Sequence, residues 1–306
     1  MLETLIHGIS TGSLYALIAL GYTMVYGVLQ FINFAHGDLV MVGAWLSLII
    51  ATSLGFSADS GIGGVLAAVF VMLISMVLCG GMGVLVERLA YRPLRQAPRL
   101  NILTTAIGVS LLIQNTGQLP FVFGTETGTM TALINDSLPM FHLGDVPIYT
   151  LDVIILTLAI GLMFALDRLV YRSKVGLAMR GVSHDVDTTA LMGVNVDRVI
   201  SLTFFIGTSL AAAGGTLYIL KYRQVQQPAD LSWIMLGLKA FVAAVVGGIG
   251  NIRGAMLGGM LIGLLEQFTR RYQSPELSDI YVFALLIVVL LAKPTGIMGK
   301  PVRTKV

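Results

Sequence analysis

Residues 4–37 read TLIHGISTGSLYALIALGYTMVYGVLQFINFAHG and contain no aspartate, glutamate, lysine or arginine. About 20 consecutive apolar residues are enough for an α-helix to cross the hydrocarbon core of a bilayer. This stretch therefore predicts a membrane-spanning helix. We expect it to remain in the protein, because it has no basic segment before it and is longer than the apolar region of a signal peptide.

The whole chain is rich in apolar residues and poor in charged ones. Of the 306 residues, 56% are apolar or aromatic and 11% are charged, whereas soluble domains carry roughly 25% charged residues. So few charged side chains cannot cover the surface of a globule of this size. The composition therefore predicts a membrane protein and does not fit a water-soluble monomer.

Other stretches with few or no charged residues predict further membrane-spanning helices. Four more charge-free gaps lie at 39–58, 60–86, 100–125 and 199–220, and apolar segments with few charges lie at 148–170, 236–249, 254–268 and 280–292. Together they predict nine crossings, with eight or ten as alternatives. We expect an all-α polytopic bundle of about eight or nine transmembrane helices that forms one domain over residues 1–306. Its C-terminal third should contain short or broken glycine-rich helices.

The basic residues predict the orientation of this bundle, because lysine and arginine accumulate in short cytoplasmic loops. The N-terminus, the loop 55–61 and residues 119–147 contain neither residue. Fourteen of the 19 basic residues fall on the other side: Arg88, Arg92, Arg95, Arg99, Arg168, Arg172, Lys174, Arg180, Arg198, Arg253, Lys293, Lys300, Arg303 and Lys305. We expect the N-terminus outside and the C-terminus in the cytoplasm.

The predicted cytoplasmic loop at about 167–198 is longer than a simple turn requires. Asp185 can cap a short helix, Asp187 suits its first turn, and Gly193 can end it. Val186, Ala190, Leu191 and Met192 give this helix an apolar side. That side needs a cover, which is either the membrane surface or a partner protein.

Glycines are concentrated between residues 237 and 263. Gly250, Gly254 and Gly258 recur at four-residue spacing, as do Gly259 and Gly263. Tandem GxxxG patterns predict close packing between membrane helices. The alternative is that a broken helix here, which includes Gly247 and Gly248, exposes backbone groups to a substrate path.

Ionisable and polar residues inside predicted spans are candidates for a translocation path. One group is Asn33, His36 and Asp38. Of these, His36 and Asp38 can relay protons or hold an ammonium, or Asn33 and Asp38 can simply cap a turn between helices. A second group is Gln114 and Asn115. A third is Lys239 and Glu266, which can form an ion pair if their helices bring them together. The candidate path residues are Asn33, His36, Asp38, Gln114, Asn115, Lys239, Gly247, Gly248 and Glu266.

Several enzyme classes find no support in the sequence. There is no HExxH and no cluster of histidines or cysteines, so a metalloprotease is not indicated. Gly299-Lys300 lacks the remainder of a Walker A sequence. We expect no enzymatic activity, no metal and no cofactor in this chain.

Three ordered motifs resemble a known family. They are NFAHGD at 33–38, GLAMR at 176–180 leading to ALMGVN at 190–195, and VVGGIGN at 245–251. They are similar to the LivH-type permeases, the membrane subunits of bacterial ABC importers for branched-chain amino acids. The resemblance covers essentially the whole chain. It implies a multi-pass protein of the cytoplasmic membrane.

The resemblance also implies partners: a homologous LivM-type permease, two cytoplasmic ABC ATPases that use the ATP, an extracytoplasmic amino-acid-binding protein and the lipid bilayer, but no nucleic acid. In ABC importers a Glu-Ala-Ala-x-x-x-Gly segment forms the helix that docks on the ATPase. Residues 187–193 have this spacing with an acid first and glycine last, but with threonines in place of both alanines. The implied coupling residues are Arg180, Asp185, Asp187, Leu191, Met192 and Gly193.

Leucine, isoleucine and valine are the substrates that the resemblance favours. Related permeases carry other amino acids, urea or amides, so these remain alternatives. An ion-coupled secondary transporter that uses His36, Asp38, Lys239 or Glu266 is the main alternative mechanism. A channel is a second alternative, although it would leave the long loop at 167–198 without a role.

Overall fold

The computed structural model describes residues 1–56, 62–95, 97–134, 139–143 and 146–299. Within these ranges the chain forms eleven α-helices and four short strands. The helices are α1 (Leu2–Leu29), α2 (His36–Ser53), α3 (Ile62–Val86), α4 (Arg99–Gly117), α5 (Thr150–Arg172), α6 (Lys174–His184), α7 (Val186–Leu191), α8 (Val196–Tyr222), α9 (Leu231–Gly247), α10 (Ile252–Tyr272) and α11 (Leu277–Ala292). The strands are β1 (Gly128–Thr129), β2 (Phe141–Leu143), β3 (Val146–Ile148) and β4 (Gln224–Val225).

The all-α polytopic fold is confirmed. Every helix except α6 and α7 overlaps a segment that the sequence predicts as a span. Five helical stretches are long and apolar enough to cross a membrane, namely Leu2–Leu29, His36–Ser53, Gly63–Leu94, Thr150–Arg172 and Val196–Tyr222, and α9 and α11 are shorter apolar helices. The total of nine crossings stays a prediction. Lys300, Arg303 and Lys305, and most of the loop 55–61, lie outside the described residues.

Two stretches contain more structure than their sequence predicts. The loop at 167–198 is mostly helical, because α5 extends to Arg172 and α6 precedes the expected short helix α7. The segment 119–147 contains strands, of which β2 pairs with β3 and β1 pairs antiparallel with β4. The pairing of β1 with β4 joins residues almost 100 positions apart, so no local pattern could indicate it.

Helix α1 lies at the centre of the bundle and contacts α5, α8, α9 and α10. Most of its residues from Gly8 to Val28 are buried. A helix that is surrounded by protein can be apolar on every side, which explains why no polar face interrupts this stretch.

Small residues let α10 approach α1 closely. A Cβ atom added at Gly263 would lie less than 3.0 Å from the backbone of Gly12, and one at Gly259 would lie equally close to the backbone of Ala16. Gly254 and Gly258 meet the backbone of α9 in the same way. Gly250 differs, because it lies in the turn between α9 and α10 with φ of +89°.

Helix α2 begins inside the bundle. The ring of His36 lies beside Gly21, which is eight residues before the end of α1, and Gly37 packs against Gly237 in the middle of α9. Eight residues of helix correspond to about 12 Å. The chain therefore folds back into the bundle after α1 ends, and the first turn of α2 lies in the interior.

Candidate functional site

An acidic pocket lies at this buried first turn of α2. Asp38 is 3% exposed, and its Oδ1 accepts a hydrogen bond from Gln114 Nε2 at 2.8 Å. The pocket has a volume of about 170 Å³ and is lined by Tyr22, Phe34, Gly37, Asp38, Ile107, Ser110, Ile234, Gly237 and Leu238. A carboxylate among mostly apolar walls can receive a cationic group such as an ammonium.

The other residues of the predicted NFAHGD motif pack around this pocket without the same role. Asn33 Oδ1 accepts a hydrogen bond from the Tyr91 hydroxyl at 2.7 Å. His36 is fully buried, and its ring lies 4.4 Å from that of Tyr22, centre to centre. Of the predicted trio, only Asp38 lines the pocket.

The structure separates Gln114 from Asn115. Gln114 is 6% exposed and also reaches Ser110 Oγ at 3.3 Å. Asn115 is exposed on another face of α4, where its Nδ2 donates to the carbonyl of Leu111. Adjacent residues on a helix point about 100° apart. Of the two, only Gln114 therefore contacts the carboxylate of the acidic pocket.

Lys239 and Glu266 form a buried ion pair within a larger, partly exposed network. Lys239 Nζ lies 3.1 Å from Glu266 Oε1 and 2.6 Å from Asp279 Oδ1. Arg270 and the Tyr15 hydroxyl also contact the Glu266 carboxylate. The network joins α1, α9, α10 and α11 and does not line the acidic pocket. Removing one partner of a buried pair costs roughly 3–5 kcal/mol, so this arrangement indicates a role in holding the helices together.

The backbone carbonyls beside Gly248 already accept hydrogen bonds from elsewhere in the chain. The N–H groups of Ile297 and Met298 donate to the carbonyls of Val246 and Gly247 at 2.8 and 2.9 Å. Gly248 has φ of +109°, which favours glycine, and contacts the C-terminal segment. Neither glycine lines the acidic pocket, so the geometry here is that of a packed helix end.

The loop between α5 and α8 is a series of capped helices. Ser173, Asp185 and Asn195 cap α6, α7 and α8, each accepting a backbone N–H at 3.0 Å. The Thr188 backbone N–H, followed by its hydroxyl, lowers the pKa of Asp185 below the usual aspartate value. Gly193 follows α7 with φ of +82°. We refer to residues 174–193, the part of the loop 167–198 that contains all the predicted coupling residues, as the coupling segment; its coupling role stays a prediction.

The two threonines that replace alanines in the coupling segment have local partners. The Thr188 hydroxyl donates to Asp185 Oδ2 at 2.7 Å, and the Thr189 hydroxyl donates to the Asp185 carbonyl at 2.6 Å. These bonds hold the first turn of a helix that is only six residues long. The two threonines, at positions where the ABC importer segment has alanines, therefore add hydrogen bonds within the first turn of α7.

Helix α7 presents apolar side chains outward. Val186, Leu191 and Met192 are 47%, 88% and 80% exposed. Near the end of α6, the Ser183 hydroxyl donates to the carbonyl of Gly27 in the last turn of α1. Arg180 does not join the surface of α7, because its guanidinium lies over the ring of Tyr171, 5.7 Å from the ring centre.

Sequence reasoning missed several residues of these sites. Tyr22 and Ser110 line the acidic pocket, and Tyr15 and Asp279 complete the ionic network. Each is one of several scattered polar residues in a largely apolar helix. Only the rotation of that helix decides whether such a residue faces a site, and no short-range pattern reports the rotation.

Comparison with known proteins shows a consistent relationship over the whole chain. The family model described as branched-chain amino acid transport system / permease component matches residues 4–290. The chain is 41% identical to the Escherichia coli (strain K12) high-affinity branched-chain amino acid transport system permease protein LivH, covering 100% of this chain and 97% of that one. It is 37% identical to the corresponding protein BraD of Pseudomonas aeruginosa, with 100% and 98% covered.

Proposed function

Because this chain belongs to the family of branched-chain amino acid transport system permease components, we propose that it is the membrane-spanning permease subunit of an ABC importer. Its cargo would be leucine, isoleucine and valine, carried across the cytoplasmic membrane. The observation that carries this proposal is the full-length similarity to high-affinity branched-chain amino acid permeases. The alternative cargo is another amino acid, urea or an amide.

The proposal assigns ATP hydrolysis to other chains. The sequence contains no Walker A motif, so two separate ATPases would use the ATP, and this chain would bind no cofactor. One of the ATPases would dock on the coupling segment. An extracytoplasmic binding protein would deliver the amino acid, and a LivM-type permease would complete the membrane part. The exposed apolar side chains of α7 support a docking surface of this kind, since nothing in the described part of the chain covers them.

The acidic pocket supports an amino acid as cargo. An amino acid carries an ammonium, for which the Asp38 carboxylate is a suitable partner, and its aliphatic side chain suits the apolar walls. The ammonium would remain paired inside the membrane, where an isolated charge is costly. Gln114 would hold the carboxylate in position through its hydrogen bond.

The coupling segment supports a mechanical link to ATP hydrolysis. Closure of the two ATPases would push α7, which is short, capped at both ends and joined to α6. The bond from Ser183 to the carbonyl of Gly27 joins α6 to the end of α1. A displacement of α7 would therefore reach the central helix and tilt it, which switches access between the two sides.

Reconstitution tests the proposed function. We expect the complete importer in proteoliposomes to take up leucine only with ATP and the binding protein. We expect Asp38→Asn, which keeps the oxygen that accepts from Gln114 but removes the charge, to reduce leucine uptake at least about tenfold. Initial rates of labelled leucine uptake measure both effects.

Asn115→Ala is the matched control, because Asn115 lies on the same helix as Gln114 but outside the acidic pocket. It should transport at the wild-type rate. Uptake by this chain alone, driven by an ion gradient, would show a secondary transporter instead. Equal uptake by Asp38→Asn and the wild type would remove Asp38 from the path.

The proposed orientation can be tested separately by cysteine labelling. The single native cysteine, Cys79, is buried and should react little. Thr125 and Met192 are both exposed and lie on opposite predicted sides. We expect an impermeant maleimide to label Thr125→Cys in intact cells and Met192→Cys only after permeabilisation. The reverse pattern would invert the topology.

A further inference from the structure

A second cavity, which we refer to as the inner cavity, has a volume of about 440 Å³. Its walls come from the end of α1, the end of α5, α6 and the turn between α9 and α10, so it borders the coupling segment. Small-molecule sites typically have volumes of about 300–1,000 Å³. Its polar lining residues are Thr23, Tyr26, Gln30, Tyr171, Arg180, Ser183 and Asn251.

Arg180 gives the inner cavity a positive charge. Arg180 and Arg253 both lie over the ring of Tyr171, at 5.7 and 5.4 Å from its centre. Arg253 is paired with Asp167 at 2.9 Å, whereas Arg180 has no ionic partner among the residues that the structure describes. A guanidinium in this setting can bind a carboxylate through two parallel hydrogen bonds.

Thr23 provides a second polar group with an open position. It is 1% exposed and lines the cavity, and its Oγ1 has no hydrogen-bond partner within the described part of the chain. A buried hydroxyl without a partner is unfavourable, so a ligand that pairs with it is stabilised. The last turn of α1, with Tyr26, Gly27 and Val28, also lines the cavity and is the negative end of the helix dipole. These features favour an ammonium.

The remaining walls are apolar. They consist of the side chains of Met24, Val28, Val170, Met179, Ile249 and Ile252. An anionic group, a cationic group and an aliphatic chain are therefore each matched by one part of the cavity. A zwitterionic aliphatic amino acid carries all three groups in one small molecule.

We propose that the inner cavity is a binding site for an aliphatic amino acid, with its carboxylate on Arg180 and its ammonium at Thr23 and the end of α1. The identity of this ligand as transported cargo rests on the proposed function. Arg180 belongs to α6, which precedes α7 in the coupling segment. The cargo in this site therefore contacts the element on which the ATPases would act, and its departure can be linked to their movement.

The experiment uses the complete importer in proteoliposomes with the ATPases facing the outer buffer. Labelled L-leucine is offered from that side without ATP or binding protein. We expect saturable binding that is weakened about tenfold or more by Arg180→Gln and about fivefold by the nearly isosteric Thr23→Val. Arg180→Lys should recover part of the affinity, because it keeps the charge but loses the bidentate geometry.

Arg172→Gln is the matched control, since Arg172 is an exposed basic residue near the cavity that does not line it. It should bind leucine as the wild type does. Isoamylamine, which lacks the carboxylate, and 4-methylpentanoate, which lacks the ammonium, should each compete at least about tenfold more weakly than leucine. Stronger competition by glycerol 3-phosphate would identify a phosphate site and overturn the proposal.

Uptake measured in parallel separates this inference from the proposed function. Normal ATP-driven leucine uptake without saturable leucine binding on the ATPase side, or with unchanged binding in Arg180→Gln, overturns the inner site and leaves the importer function intact. Absence of ATP-driven uptake in the wild type overturns the importer function. In that case, saturable leucine binding and its weakening in Arg180→Gln would still test whether the inner cavity binds an amino acid.

Discussion

Replacing Gly263 with valine is expected to prevent α10 from packing on α1 and to remove nearly all folded protein. The new Cβ would overlap the backbone of Gly12, and a backbone cannot rotate away as a side chain can. Overpacking typically costs 1–3 kcal/mol even where side chains can adjust, so we expect a loss above about 3 kcal/mol here. The yield of monodisperse protein in detergent and its thermal unfolding temperature measure the effect.

Gly161→Val is the control for this substitution. Gly161 also lies in a long apolar helix, α5, but a Cβ at this position has no neighbour within 4 Å. The control should therefore fold with the wild-type yield. If Gly263→Val is as stable as Gly161→Val, then α1 and α10 do not pack through these glycines.

A second large effect is expected from changing both ends of α7. Gly193→Val places a β-branched residue at φ of +82°, where such residues are strained, and Asp187→Lys puts a positive charge at the positive end of the helix dipole. We expect the double variant to reduce ATPase binding and leucine-stimulated ATP hydrolysis at least about tenfold. Co-purification of the ATPases and the rate of phosphate release measure these quantities.

Gly124→Val tests whether local strain alone explains the result. Gly124 has φ of +85° and open space around it, so the substitution introduces similar strain away from the coupling segment. This variant should keep wild-type ATP hydrolysis. Unchanged ATPase binding and hydrolysis in the double variant would show that residues 187–193 are not the coupling element.

The features that could be predicted from the sequence depend on short-range chemistry. A long apolar run without charged residues predicts a membrane helix, whatever its neighbours are. The cap of α7 likewise involves residues only three or four positions apart, as in the bonds from Thr188 and Thr189 to Asp185. Helix α6 was missed because it directly follows α5 with only Ser173 between them.

The candidate sites depend on contacts between distant residues. Asp38 and Gln114 are 76 positions apart, and Gln114 was distinguishable from Asn115 only through the rotation of α4. The sequence suggested that Lys239 and Glu266 could meet. It contained no sign that Asp279 would join them, because that contact depends on the register of α11 against α9.

The sequence by itself determined that the protein is a polytopic helical membrane protein, which segments form its helices apart from α6, and where α7 begins. Only the tertiary structure decided that α2 starts inside the bundle, that Asp38 faces a pocket and that Thr23 and Arg180 share a cavity. The physical reason is that these two kinds of feature depend on interactions over different distances along the chain. Hydrophobic length and capping act within a few turns of one helix, whereas a site depends on how several helices are rotated and shifted against each other.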